Sequence, residues 1–208
     1  EDEDANGNNT INAAGSAYIF QNIAGNWTQI QKIAASDRNT NDYFGASVSI
    51  SGNFLVVGAL LEAEDADGNN TISGAGSAYI FKNVEGTWTQ VQKIVASDRN
   101  GFDLFGCSIS ISGDYIIAGS MNDDDDENNA NPIQDAGSAY VFKNNGGIWS
   151  QVQKVVSTDR DVFDRFAYDV AVSGDYFVVG NDGDALDANG ENAIDDAGSA
   201  YIFGNMDV

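Results

Sequence analysis

The chain has 208 residues and a formal net charge of −23, from 32 acidic and 9 basic side chains with no histidine. Such a surface repels nucleic acid and anionic membranes, so we expect neither as a partner, whereas metal cations and basic ligands suit it. Solubility in a salty medium accounts for part of this charge. Hydrophobic residues make up 42% of the sequence, which is enough to bury a core and excludes a disordered acidic tail.

Other broad classes are excluded by single features. Cys107 is the only cysteine, so the chain can form neither an intrachain disulfide nor a zinc site of cysteine and histidine. No apolar run approaches about 18 residues, so we expect no membrane insertion. The sequence begins at Glu1 without an initiator methionine or a signal peptide. We expect that a leader was removed or that the sequence is a piece of a longer protein.

The pattern that organises the chain is a repeat with a period of 61 residues. A hexapeptide that runs from small to apolar side chains occurs four times, and a tryptophan follows three of the copies at a constant distance. The hexapeptides begin at Gly15, Gly76, Gly137 and Gly198, and the tryptophans are Trp27, Trp88 and Trp149.

Within one period the sequence predicts four strands and no helix. The first, 44–51, alternates apolar and small polar side chains, and the second, 54–59, is continuously apolar, as in a strand buried on both faces. An acidic loop leads to the third strand, 76–81, and the fourth, 88–95, alternates again and is polar enough for an outer edge. A polar connector, 96–103, leads to the next period.

Four short antiparallel strands per repeat are typical of a β-propeller blade, whose faces are buried by neighbouring blades. We therefore predict an all-β fold of four-stranded antiparallel blades, with about 3.4 repeats of 61 residues. The chain divides into a partial blade at 1–43, complete blades at 44–104 and 105–165, and a partial blade at 166–208, all within a single repeat array.

Three segments of each period resemble one family. The Phe-Gly start, the Val-Val-Gly-Ala centre and the Gly-Ser-Ala-Tyr-Ile-Phe strand resemble FG-GAP repeats, which build the propeller of integrin α-subunits and many secreted bacterial proteins. The Ile-Ser-Gly-Asp turn and the Trp-Thr-Gln strand are closest to the bacterial form. The last repeat departs from the pattern at Ala167, which replaces the Phe-Gly glycine, and the proline that follows Gly-Ala in the family is missing throughout.

The family's propellers usually carry seven blades, about twice what this sequence provides. The chain is thus expected to be a partial ring, a fragment of a longer protein, or a protomer that completes its blades with a neighbour through its terminal strands.

The acidic loops hold 20 of the 32 acidic residues and favour calcium. Oxygen-bearing side chains alternate around a glycine turn, and Ca²⁺ takes six to eight oxygen ligands from such compact loops. The candidate calcium ligands are Asp4, Asn6 and Asn8; Asp65, Asp67 and Asn69; Asp126 and Asn128; and Asp187, Asn189 and Glu191.

An alternative for these loops stays open. They lack the closing glutamate of an EF-hand, and they lie one connection later than the calcium loop of the integrin pattern, so the family's ligands cannot be transferred by position. In the alternative, which is less favoured, the loops are solvated and Asn6-Gly7, Asp67-Gly68 and Asn189-Gly190 serve as turns.

Two other recurring features have a functional and a structural interpretation. The Asp-Arg pairs at 37–38, 98–99 and 159–160, with Asp42, Asp103 and Asp164, could contact a ligand, but connectors held by aspartate turns and by arginine packing on the next blade are favoured. The tryptophans could stack on sugars, but packing between blades is favoured.

Catalysis finds no support, because there is no histidine and the lone cysteine lacks a base, so we expect no enzyme. We predict a secreted or cell-surface, calcium-stabilised propeller that binds or adheres to a glycan or a protein surface. The alternative is an assembly protein whose terminal half-blades pair between chains into rings or filaments.

Overall fold

The computed structural model describes residues 2–186, 194 and 197–204. Over these residues the chain forms thirteen strands and no helix, so the predicted all-β class is confirmed. The described part accordingly offers no helix that could cross a membrane.

The strands form four antiparallel sheets that follow one another along the chain. Each complete sheet has its four strands in sequence order, joined as a meander, as the repeat predicts. Sheet I contains β1 (Ala17–Ile23) and β2 (Asn26–Ile33); sheet II β3 (Phe44–Ser51), β4 (Phe54–Ala59), β5 (Ser77–Val84) and β6 (Thr87–Ile94); sheet III β7 (Ile109–Ser112), β8 (Tyr115–Ser120), β9 (Ser138–Asn145) and β10 (Ile148–Val155); and sheet IV β11 (Phe166–Ser173), β12 (Tyr176–Asn181) and β13 (Ser199–Gly204).

Strand pairing places the two kinds of connection at opposite ends of the sheets. In sheet II, Ser51 pairs with Phe54 at the end of the short hairpin, and Phe44 pairs with Ala59 at the other end. Ser77 pairs with Ala59, and Ala78 pairs with Ile94. The acidic loops and the connectors between sheets therefore share one end, which we call the loop end, and the tight turns occupy the other.

Neighbouring sheets meet along three seams, where the backbones are in direct contact. At the second seam, between sheets II and III, the Phe105 amide donates to the Ala75 carbonyl oxygen at 3.0 Å. A Cβ added to Gly76, whose φ is +83°, would lie 2.2 Å from the Phe105 carbonyl oxygen, and one on Gly58 would lie 2.1 Å from that of Gly106. The glycines of the repeat are therefore required by this close approach.

Each seam buries an apolar cluster. At the second seam Val56 and Ile80 of sheet II pack with Ile109 and Ile111 of sheet III, and all four are nearly inaccessible to solvent. Corresponding clusters fill the first seam, between sheets I and II, and the third seam, between sheets III and IV. A bulge between Phe44 and Ser47 takes Ala46 out of the alternation predicted for the first strand.

The sheets do not close into a ring, and this exposes apolar side chains at both ends of the array. Val48 and Ile50, the repeat equivalents of Ile109 and Ile111, are 62% and 60% exposed on sheet II. At the other end Ile202 of sheet IV, the equivalent of the fully buried Ile80, is 77% exposed. Each exposed face is one that a neighbouring sheet covers elsewhere in the chain.

Candidate cation-binding face

Each acidic loop folds around one aspartate that accepts hydrogen bonds from the loop itself. Oδ1 of Asp65 accepts from the amides of Asp67 and Asn69 at 3.0 and 2.8 Å, and Oδ2 accepts from the Asn70 side chain. Asp4 and Asp126 make the same three kinds of bond in their loops. Aspartate is suited to this position because its short side chain reaches amides two and four residues ahead.

These bonds shift the acidity of the loop aspartates. The amide of Asn69, the Asn70 side chain and the Asp67 amide together lower the pKa of Asp65, outweighing the opposing effect of burial. The pKa values of Asp4 and Asp126 are lowered for the same reasons. The three carboxylates are therefore anionic acceptors at neutral pH.

An arginine from the following connector holds each loop. The guanidinium of Arg99 donates to the carbonyl oxygens of Ala63 and Asn70, at opposite ends of the acidic loop of sheet II. Arg38 and Arg160 bridge the first and third loops in the same way. The Asp-Arg pairs thus lie in connectors, and each arginine clamps the loop of its own sheet. The predicted arginine packing on the next blade stays a prediction.

The predicted calcium ligands Asp4, Asn6, Asn8, Asp65, Asp67, Asn69, Asp126 and Asn128 lie in these loops. Asp67 and Asn69 are exposed, and the Asn69 side-chain amide donates to the Asp67 carbonyl oxygen. Asp65 uses both carboxylate oxygens within the turn. These bonds agree with the turn alternative, and calcium ligation by the loops stays a prediction. Asp187, Asn189 and Glu191 lie outside the described residues.

The cluster of three carboxylates found in the described part of the chain lies elsewhere, at the first seam. Oxygens of Asp37, Glu62 and Glu64 lie within 4.8 Å of one another. The ammonium of Lys93 contacts Asp37 at 2.9 Å and Glu62 at 2.7 Å, and the Glu62 side chain is fully buried. Because the lysine already supplies a positive charge, these residues fit a buried ion network better than a divalent cation.

The second seam repeats this network with every member hydrogen-bonded. Lys154 contacts Asp98 at 2.7 Å and Asp123 at 2.8 Å, and all three side chains are at most 5% exposed. The Tyr140 hydroxyl is within hydrogen-bond distance of both carboxylates. Sequence reasoning missed these lysines, although they recur 61 residues apart on the fourth strand.

At the third seam the same carboxylates lack an ammonium partner among the described residues. The Tyr201 hydroxyl donates to Asp159 and lies 3.1 Å from an oxygen of Asp184, which also accepts from Ser199.

A second buried aspartate anchors each connector. Oδ2 of Asp103 accepts from the Asn100 amide at 2.7 Å, and Asp42 and Asp164 make equivalent bonds. Burial raises the pKa of Asp103 to about 7 and that of Asp42 to about 6, with the nearby acidic side chains adding to the effect. These positions stabilise turns, as predicted, and their raised pKa values follow from burial.

The tryptophans pack between sheets where a preceding sheet is present. Trp149 lies edge-on to Phe54 of sheet II at 5.6 Å between ring centroids, and Trp88 is buried at the first seam. Trp27, on sheet I, is 73% exposed. The packing interpretation is therefore confirmed for Trp88 and Trp149.

Comparison with known families agrees with the repeat. Three FG-GAP repeat matches cover residues 27–81, 88–142 and 149–203, each running from the fourth strand of one sheet to the third strand of the next. No curated protein matches the sequence. FG-GAP repeats are typical of extracellular proteins, often bind calcium, and form β-propeller-type binding or structural modules. The matches cover most of the chain, which therefore belongs to the FG-GAP repeat family.

Proposed function

We propose that the chain is an extracellular, calcium-stabilised binding module that uses its loop end to recognise a protein surface rich in lysine and arginine. The observation that supports this most is the clustering of acidic loops and connectors at one end of the sheets. Three arginine clamps hold the loop backbones, so the exposed carboxylates are presented on an ordered surface. An ordered anionic surface attracts cationic partners and accelerates their association.

A protein ligand is favoured over a glycan by the placement of the tryptophans. Sugar-binding surfaces use exposed aromatic rings, whereas Trp88 and Trp149 are buried between sheets. Trp27 is exposed because the structure describes no sheet in front of sheet I. The aromatic residues thus offer no repeated platform for sugar rings.

Calcium is proposed as a stabiliser of the same end. Asp67 and Glu127 are exposed near other acidic side chains, and bound cations would relieve their mutual repulsion. We propose a binding role without catalysis, because the sequence has no histidine and the raised pKa values of Asp42 and Asp103 are explained by buried turns.

The proposal is tested by measuring binding of the chain to immobilised poly-lysine and to a panel of neutral glycans. The test variant is Asp67→Asn with Glu127→Gln at the loop end. The control is Glu85→Gln with Asp175→Asn, which removes the same charge from exposed positions at the opposite end of the sheets, where the tight turns lie.

We expect salt-sensitive binding to poly-lysine that weakens at least about fivefold in the test variant and less than about twofold in the control. Equal weakening by both variants would show that net charge alone drives the binding. Binding to glycans but not to poly-lysine would replace the protein ligand with a sugar.

A further inference from the structure

The ion network of the first seam leaves two buried oxygen atoms without a hydrogen bond. At the second seam the Tyr140 hydroxyl is within hydrogen-bond distance of Asp98 and Asp123. The equivalent Tyr79 hydroxyl has no partner among the described residues, although Tyr79 is completely buried. Oδ1 of Asp37, the equivalent of Asp98, is also inaccessible to solvent and unpartnered within the described part of the chain. Buried polar atoms of native proteins are normally paired with protein, water or an ion, so these oxygens indicate a bound group.

The Tyr79 hydroxyl faces the carboxylates of this seam. Burial and the charges of Glu62 and Asp37 raise the pKa of Tyr79, which places the hydroxyl beside both side chains, yet it forms no hydrogen bond with either. The Tyr79 ring is held edge-on to Phe44, at 5.5 Å between ring centroids. Its hydroxyl oxygen is therefore fixed in position and offers a lone pair to a ligand of this seam.

The first seam also holds more negative charge than the second. Oxygens of Asp37, Glu62 and Glu64 lie within 4.8 Å of one another. The Lys93 ammonium contacts only the first two of these carboxylates. Asp125, the equivalent of Glu64 and one methylene shorter, belongs to no such cluster in the described structure, and at the second seam two carboxylates contact one ammonium. One additional positive charge would give the first seam the same balance as the second.

Glu64 has no cationic partner of its own. Its carboxylate accepts from the Asn39 side chain at 3.0 Å, and the ion pairs of the described residues do not include it. The Glu64 amide donates to Oε1 of Glu62 at 2.9 Å, which brings the two side chains together. Burial and the adjacent Glu62 carboxyl raise the pKa of Glu64, as expected for two acids in contact. A cation between them would remove this repulsion.

The size and charge of the site select among possible occupants. Oxygens within 4.8 Å of one another can share one ion whose ligands lie at about 2.3–2.6 Å, as those of Ca²⁺ do. Sodium has nearly the radius of calcium but half its charge, so the adjacent Lys93 ammonium repels it less. Water would pair with Tyr79 and Asp37 but would leave the negative charge uncompensated. The Asp37 side chain is 29% exposed, which gives an ion a route from solvent.

We propose that the first seam binds a sodium ion through carboxylate oxygens of Asp37, Glu62 and Glu64 and the hydroxyl oxygen of Tyr79. The ion would join the connector that follows sheet I to the acidic loop of sheet II, so its binding stabilises the contact between the two sheets. This site is distinct from the calcium ligands predicted in the acidic loops, and the proposal is independent of the partner suggested for the loop end.

The test compares melting temperatures in NaCl, KCl and choline chloride at equal ionic strength, after a chelating resin has removed divalent ions. Equal ionic strength keeps the screening of the surface charge constant. Tryptophan fluorescence is the probe, because Trp88 is buried at the first seam. We expect the melting temperature in about 0.2 M NaCl to exceed that in choline chloride by at least about 3 °C, and KCl to have a smaller effect.

Matched variants locate the effect. Glu64→Gln should remove at least half of the sodium-specific rise, whereas Asp125→Asn removes the same charge from the equivalent position at the second seam and should leave the rise unchanged. Glu62→Asp with Glu64→Asp gives the first seam the acidic residues of the second and should fold without a sodium-specific rise. Sodium-23 relaxation should be faster with Asp125→Asn than with Glu64→Gln, two variants of equal net charge.

Four outcomes would overturn the proposal. Equal melting temperatures in NaCl and choline chloride would favour water at this site. An equal effect of KCl would exclude the assignment to sodium. An equal loss of the rise in Glu64→Gln and Asp125→Asn would show that net charge alone is responsible. Stabilisation by micromolar Ca²⁺ that Glu64→Gln abolishes would replace sodium with a divalent ion.

Discussion

Replacing Lys154 by methionine removes the positive charge from the second seam while keeping most of the side-chain volume. The Lys154 ammonium contacts Asp98 and Asp123, and the three side chains are at most 5% exposed. The substitution leaves two carboxylates close together with little access to water. Removing one partner of a buried ion pair typically costs about 3–5 kcal/mol.

We expect the free energy of unfolding to fall by about 3–4 kcal/mol. This is the lower half of the typical range of about 3–5 kcal/mol, because the Tyr140 hydroxyl remains within hydrogen-bond distance of both carboxylates. Such a loss is a large part of the roughly 5–15 kcal/mol that stabilises a typical domain. The second seam is therefore expected to open before the rest of the array in this variant.

The measurement is urea unfolding at pH 7, followed by far-ultraviolet circular dichroism and by tryptophan fluorescence. Both probes are needed because repeat arrays can unfold one unit at a time, and Trp149 reports on the second seam. Lys82→Met is the control and should cost less than about 1 kcal/mol, because this exposed lysine loses only its contact with the Phe54 ring. Adding Asp123→Asn to Lys154→Met should recover part of the loss.

A loss below about 1 kcal/mol would refute the reasoning that this network stabilises the seam. The pH dependence gives a second check. Burial alone lowers the pKa of Lys154, but hydrogen bonds to Asp123 and Asp98 outweigh it and the pKa is raised. The ammonium's contribution should thus be complete up to about pH 10 and disappear only as the pH rises through the raised pKa.

Two further predictions concern the loop end. Burial raises the pKa of Asp103 to about 7, so the folded state holds a proton that the unfolded state loses near pH 4, and stability falls as the pH rises between these values. Asp103→Asn should remove about 4 kcal/mol of that fall in the free energy of unfolding, measured from pH 4 to 8, because about three pKa units separate the folded and unfolded states. An unchanged slope would contradict the assignment. Calcium should raise the melting temperature by binding to the folded state, and Asp67→Asn should reduce the rise. No effect of calcium or EDTA at low salt would exclude the predicted sites.

The strands were predictable because each has a clear pattern of apolar side chains, and the same pattern recurs in every repeat. Phe44–Ser51 and Phe54–Ala59 occur at the expected positions, bounded by Gly52 and by the acidic loop. The all-β class and the four-stranded sheets followed from this pattern. The bulge at Ala46 was not predicted; it lies beside the close contact between the Phe44-Gly45 backbone and Gly15 and Ser16 of the neighbouring sheet, which depends on residues far away in the sequence.

The side-chain networks at the seams were harder to predict. Glu62 is one of the acids of the predicted acidic loop, yet its side chain is fully buried and contacts the Lys93 ammonium. Asp65 was predicted as a calcium ligand, and the hydrogen bonds that its Oδ1 accepts from its own loop were not foreseen. Both assignments depend on the direction of a side chain within a loop, which residue spacing alone does not specify.

The repeat nevertheless turns each observed contact into an expectation at the ends of the array. The same residue types at a constant spacing make the same contacts wherever both partners are present, as the equivalent Lys93 and Lys154 networks show. The third seam follows the same rule, since the Tyr201 hydroxyl lies against Asp159 and Asp184 as the Tyr140 hydroxyl lies against Asp98 and Asp123.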